Sequence, residues 1–138
     1  MRKVWVFNPH AGGKKISPGL QEEVRRRILE HVKKNYSGKR LRIDIRFRGA
    51  MCYIDAYQEP SLGRGHPTAS LGESREEYVE RIRNIPIHFC RLRHFDRDRW
   101  SLAFYTYSNE RYEPCLFPSG DWFGTPEEGF DVGAQYLD

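Results

Sequence analysis

Leu20, Val24, Ile28, Val32 and Tyr36 recur every four residues, with Glu, Arg and Lys filling most positions between them. That period places one apolar stripe along a helix. Ser17 is a natural N-cap and Pro18 suits the first helical position. Glu22 and Glu23 lie towards the positive end of the helix dipole, and Gly38 is a natural stop. The spacing predicts a helix over 18–37, and its stripe needs a surface to cover.

The period then changes from four to two. Leu41, Ile43, Ile45 and Phe47 alternate with Arg42, Asp44, Arg46 and Arg48, which predicts a strand over 41–48 with one buried face. Gly49-Ala50 fits a two-residue II′ turn, and 51–57 returns as the partner strand. That register sets Phe47 against Cys52, Ile45 against Ile54 and Ile43 against Ala56, apolar on apolar throughout. Gln58–Glu73 is rich in Gly, Pro and Ser, and reads as a mobile loop over 58–73.

Ser74-Arg75-Glu76-Glu77 is a capping box that opens a helix over 74–84, with Tyr78, Val79 and Ile82 inward and Pro86 beyond its end. A strand over 87–95 follows, with Cys90 and Leu92 on one face and Arg91 and Arg93 on the other. Strict alternation also sets His88 and Cys90 on one face. Strands over 100–107 and 112–117 form a second hairpin. Thr125-Pro126-Glu127-Glu128 is another capping box and predicts a last helix over 126–136 that buries Phe130, Ala134 and Leu137. With a short first strand near 3–7, the order is β-α-β-β-α-β-β-β-α. Hairpins dominate, so the expected fold is α+β, a mainly antiparallel sheet with helices packed on it.

The chain's 138 residues suit a single domain over 1–138 that needs no disulfide or metal to hold its core. Apolar runs are too short to span a bilayer, and the first residues do not have the pattern of a secretory signal. Cys52, Cys90 and Cys115 form no C-x-x-C pair, which predicts free thiols, a reducing compartment and hence the cytoplasm. Charge is unevenly spread: residues 1–60 hold 14 Lys/Arg against 6 Asp/Glu, and residues 61–138 hold 9 against 13. A basic half suits an anionic partner, or docking on the acidic half.

Val6-Phe7-Asn8-Pro9-His10-Ala11-Gly12-Gly13-Lys14-Lys15-Ile16 resembles the opening of a family of small uncharacterised bacterial proteins, in which the position of Asn8 is often Asp. Arg46-Phe47-Arg48-Gly49, Tyr53-Ile54-Asp55-Ala56-Tyr57, Cys90-Arg91-Leu92-Arg93 and the stretch from Trp100 to Asn109 look similar to the same family. The resemblance implies a bacterial protein and carries no activity or catalytic residues with it.

If the apolar alternates face the helices, the opposite sheet face carries Arg46 across from Tyr53, Asp44 across from Asp55 and Arg42 across from Tyr57. The later strands add Arg91, Arg93, Tyr105, Tyr107 and Tyr112. Directly opposed aspartates repel and need compensation. One reading is an arginine bridging both carboxylates; another is a metal or acid/base pair built on Asp44 and Asp55. The arginines and tyrosines also suit stacking of bases and neutralising of phosphates, or packing beneath a helix.

Other constellations are thinner. His10-Ala11-Gly12-Gly13-Lys14-Lys15 offers backbone N–H groups to an anion but lacks the P-loop pattern. His88 with the three cysteines lacks the close spacing of a zinc site, so no metal and no cofactor is expected. His31 reads as a rim residue, and His66 and His94 carry no motif.

The sequence therefore points to a binding module whose candidate ligand-binding residues are Arg46, Tyr53, Arg91, Arg93, Tyr105 and Tyr107. Its partner would be nucleic acid or an acidic protein, with no membrane involved. A metal-dependent hydrolase or nuclease using Asp44 and Asp55 is the enzymatic alternative. A homo-oligomer interface on the tyrosine face is the structural one.

Overall fold

The computed structural model describes residues 8–59 and 74–137. The strand expected near 3–7 and residues 60–73 of the expected mobile loop lie outside these. Helix α1 spans Pro18–Asn35, followed by strands β1 (Leu41–Arg48) and β2 (Met51–Gln58), helix α2 (Arg75–Arg83), strands β3 (Ile87–Asp96), β4 (Arg99–Thr106) and β5 (Arg111–Cys115), and helix α3 (Pro126–Gly133). The strands form one antiparallel sheet in the order β1-β2-β3-β4-β5, so every neighbour in space is a neighbour in sequence.

The expected caps form. The Ser17 hydroxyl accepts from the Leu20 N–H. Ser74 with Glu77, and Thr125 with Glu128, each close a capping box. The chain departs from expectation after α1. It leaves through a 3-10 turn over Ser37–Lys39, and the left-handed residue is Arg40, with φ of 54°, rather than Gly38. The first hairpin has the predicted register from Leu41–Gln58 to Arg48–Met51, and Gly49 supplies the positive φ of 60° at the first turn position.

Alternation sends Ile45, Cys52, Ile54, Leu92, Trp100 and Leu102 to one face, where they are buried with Val24 and Ile28 of α1 and Phe130 of α3. Two helices thus share this face: α1 lies over β1, and α3 over β3 and β4. Arg27 ties the helices together. Its Nε and Nη2 donate to the Glu127 carboxylate at 2.9 and 2.7 Å, and its Nη1 lies 2.8 Å from Asp98. His31 is at the rim of this contact, Nε2 2.7 Å from Asp131, which also accepts from the Tyr36 hydroxyl. In α2, Tyr78, Val79 and Ile82 are half-buried, and none of its residues is fully inside. No helix among the described residues is long and apolar enough to cross a membrane.

Candidate functional site: an arginine, tyrosine and histidine circuit on the far sheet face

The face opposite the two core helices is organised by one irregularity. Ile54 pairs with Cys90, but Asp55 pairs with His88, so Phe89 is an extra residue in β3. A β-bulge of this kind breaks alternation and re-aims the side chains beyond it. Phe89 and Cys90 are both fully buried, and Phe89 meets the Phe130 ring at 4.9 Å. His88 therefore turns to the opposite face. This corrects the expectation that His88 and Cys90 share a face.

Asp55 is the hub. Its side chain is 6% exposed, against 46% for its cross-strand neighbour Asp44. One Asp55 oxygen accepts from Arg46 Nη2 at 2.9 Å, and the other lies 3.0 Å from His88 Nδ1. Arg46 Nε is also 3.2 Å from Asp44. A single guanidinium bridges the opposed carboxylates, so their repulsion is compensated by the chain's own cation. The two aspartates have different environments: one is buried and doubly partnered, the other half in solvent.

Rings complete the circuit. The Arg46 guanidinium lies over the Tyr53 ring at 5.4 Å. Tyr53 meets Tyr112 edge-on at 5.6 Å, Tyr112 meets Tyr105 at 5.1 Å, and Tyr105 lies 4.6 Å from the His88 ring. His88 then returns to Asp55. Such edge-on contacts suit the aromatic quadrupole. Tyr107 stands outside the circuit as a second wall. It stacks on His88 at 6.3 Å, its hydroxyl accepts the His88 backbone N–H at 2.8 Å, and it is itself exposed. Arg91 lies opposite Tyr53 in the sheet, its guanidinium over Tyr112 at 5.7 Å. Burial, and then the Asp55 charge, push the Tyr112 phenol well above its ordinary range, so Tyr112 stays a hydrogen-bond donor.

Of the sequence-derived candidates, Arg46, Tyr53, Arg91, Tyr105 and Tyr107 come together here. Arg93 lies two residues beyond Arg91 on β3, within electrostatic reach of Arg91 and Tyr53, but its Nη1 donates to the Gly12 carbonyl at 2.8 Å. Burial and the nearby Arg91 lower its pKa. In the His10–Lys15 loop, part of the backbone N–H set offered to an anion is used within the chain. The Lys14 and Ile16 N–H groups donate to His94 and Gly49 carbonyls, and the His10 N–H to Asn8 Oδ1. His94 is buried against Trp100, its Nδ1 near the Lys14 carbonyl, and serves the core. Burial raises all three thiol pKa values, that of Cys52 to about 12, so the thiolate needed for nucleophilic attack or metal ligation is disfavoured. No group of three or more His, Cys, Asp or Glu side chains that could hold a metal ion occurs among the described residues.

His88 is the site residue that alternation alone overlooks. The sequence does carry a signal: Phe89-Cys90 puts two large or sulfur-bearing apolar residues side by side in a strand that otherwise alternates. Comparison with known protein families, curated proteins and solved structures finds no match to this chain.

Proposed function

We propose that this sheet face binds single-stranded nucleic acid. The observation that carries the reading is the continuous run of Tyr53, Tyr112, Tyr105 and Tyr107 flanked by the Arg46 and Arg91 guanidiniums. Bases stack on aromatic faces, and phosphates need cations with spare donors. Arg46 is half exposed even while it bridges two carboxylates, so its guanidinium has donors left for a phosphate. The excess of basic residues in the first half of the chain supports approach of a polyanion. The hydrolase reading built on Asp44 and Asp55 is weaker, because Arg46 occupies the position between them that a catalytic cation would take.

The test is titration of short, labelled single strands at several salt concentrations. Binding should weaken steeply with salt, as arginine–phosphate contacts release counterions. A lack of binding at low salt, or self-association through the tyrosine face in its place, would remove the reading.

A further inference from the structure

The His88–Asp55 pair is more than a binding surface requires. Asp55 is almost wholly buried, and a carboxylate there accepts the proton of Nδ1, which leaves the lone pair on Nε2. The His88 side chain is 30% exposed, and its Nε2 has no partner among the described residues. Tyr105 and Tyr107, themselves in edge contact, pack together along one side of the ring, and Tyr107 also fixes the His88 backbone. A base whose tautomer and direction are both set in this way is pre-organised for proton abstraction. Arg46 shares the same Asp55 carboxylate, so an exposed guanidinium stands beside that base.

From this geometry we infer that His88 is the general base of an RNA-cleaving centre on the same face. This rests on the nucleic-acid reading and adds a reaction to it. RNA supplies its own nucleophile. His88 Nε2 takes the proton from a ribose 2′-hydroxyl. The 2′-oxygen bonds to the adjacent phosphorus, and the bond from phosphorus to the 5′-oxygen of the next nucleotide breaks. That departing oxygen takes a proton from water, and the imidazolium returns its own proton to the hydroxide left behind. The products are a 2′,3′-cyclic phosphate and a free 5′-hydroxyl, with no oxidant or co-substrate consumed. Arg46, joined to His88 through Asp55, is assigned to the charge that builds on the phosphorane oxygens, and Arg91, over Tyr112, to a flanking phosphate. Asp55 is a positioning residue that acts through the imidazole.

The test uses the full chain, EDTA, a short single-stranded RNA and a DNA of the same sequence. The expected result is RNA cleaved to cyclic-phosphate ends and DNA bound but intact. At saturating RNA, His88→Ala should lower the rate by at least ~100-fold, the range of a lost general base, with partial rescue by added imidazole. Asp55→Asn should lower kcat with little change in KM, and Asp55→Glu should restore part of the loss. RNA that is bound but left intact, or His88→Ala cleaving at the parent rate, overturns the inference and leaves the binding reading standing. An unchanged kcat in Asp55→Asn overturns the positioning role. Failure to bind either strand removes the binding reading, and this inference with it.

Discussion

Phe89 lies hard against Gly133: a Cβ added at Gly133 would come within 2.3 Å of the Phe89 Cβ and 2.6 Å of its Cα. The extra residue of the β3 bulge is therefore received by a gap in α3 that only glycine leaves. One turn earlier, Gly129 makes a looser approach, 2.8 Å from an added Cβ to a Leu92 methyl. The core contact and the working face are coupled through this pair, because the bulge that sends Phe89 inward is what sends His88 outward beside Asp55.

Gly133→Ala should thus act at two places. Helix propensity favours alanine, but overpacking a full contact costs ~1–3 kcal/mol and forces α3 or the bulge to shift. Urea denaturation should show the loss. The His88 ring signals in an NMR spectrum should move, although residue 133 is on the other side of the sheet. An unchanged midpoint and unchanged His88 signals would mean that the bulge does not depend on the glycine.

The two opposed aspartates should respond very differently to removal. Asp44 is half exposed, so Asp44→Ala should cost no more than ~0.5 kcal/mol. Asp55 is buried, and Asp55→Ala leaves His88 Nδ1 and one Arg46 donor without their acceptor, at a cost of ~1–3 kcal/mol. Equal costs measured by thermal or chemical unfolding would show that burial does not distinguish them.

These contrasts mark what the sequence could and could not reveal. The first hairpin was legible to the residue because alternation, a glycine-first turn and apolar pairing all specify one register. The capping boxes were legible because each needs only a local four-residue pattern. The bulge was marked only by the adjacent apolar pair Phe89-Cys90, which does not fix its place, because its reward is Phe89 filling the space over Gly133, a contact between residues far apart in the chain. For the same reason Arg46, Tyr53 and Tyr105 could be assigned to a face, but the closed circuit through His88 could not. The Arg27–Glu127 clasp also needed the tertiary structure, since it joins the first helix to the last.

That clasp sets a pH dependence. Burial raises the Glu127 pKa, but the Arg27 hydrogen bonds and charge outweigh it, so the carboxyl ends below its ordinary range. A depressed folded pKa contributes stability above the unfolded value of ~4.3. That contribution is lost as pH falls from there through the folded value. Glu127→Gln should lower the melting temperature near neutrality and flatten its fall below about pH 4.3. An acid limb as steep as the parent's would place the titrating group elsewhere.

The arginines of β3 provide the sharpest check on the binding surface. Arg91 lies over Tyr112 within the aromatic run, whereas Arg93 is tied to the Gly12 carbonyl. Arg91→Ala should weaken binding to single strands of any sequence. It should also reduce the salt slope by about one contact, a change of ~0.7 in the logarithmic slope for a single strand. Arg93→Ala should leave that slope nearly unchanged and act mainly on stability, through the loop it anchors. Tyr105→Ala removes the ring that touches Tyr112, Tyr107 and His88, and should cost ~1–3 kcal/mol of binding if a base stacks there. Fluorescence anisotropy at several salt concentrations separates these effects. If Arg91 and Arg93 shift the slope equally, phosphates are met by diffuse positive charge and not by the circuit. If Tyr105→Ala lowers only the melting temperature, the tyrosines form a structural layer and the binding surface lies elsewhere.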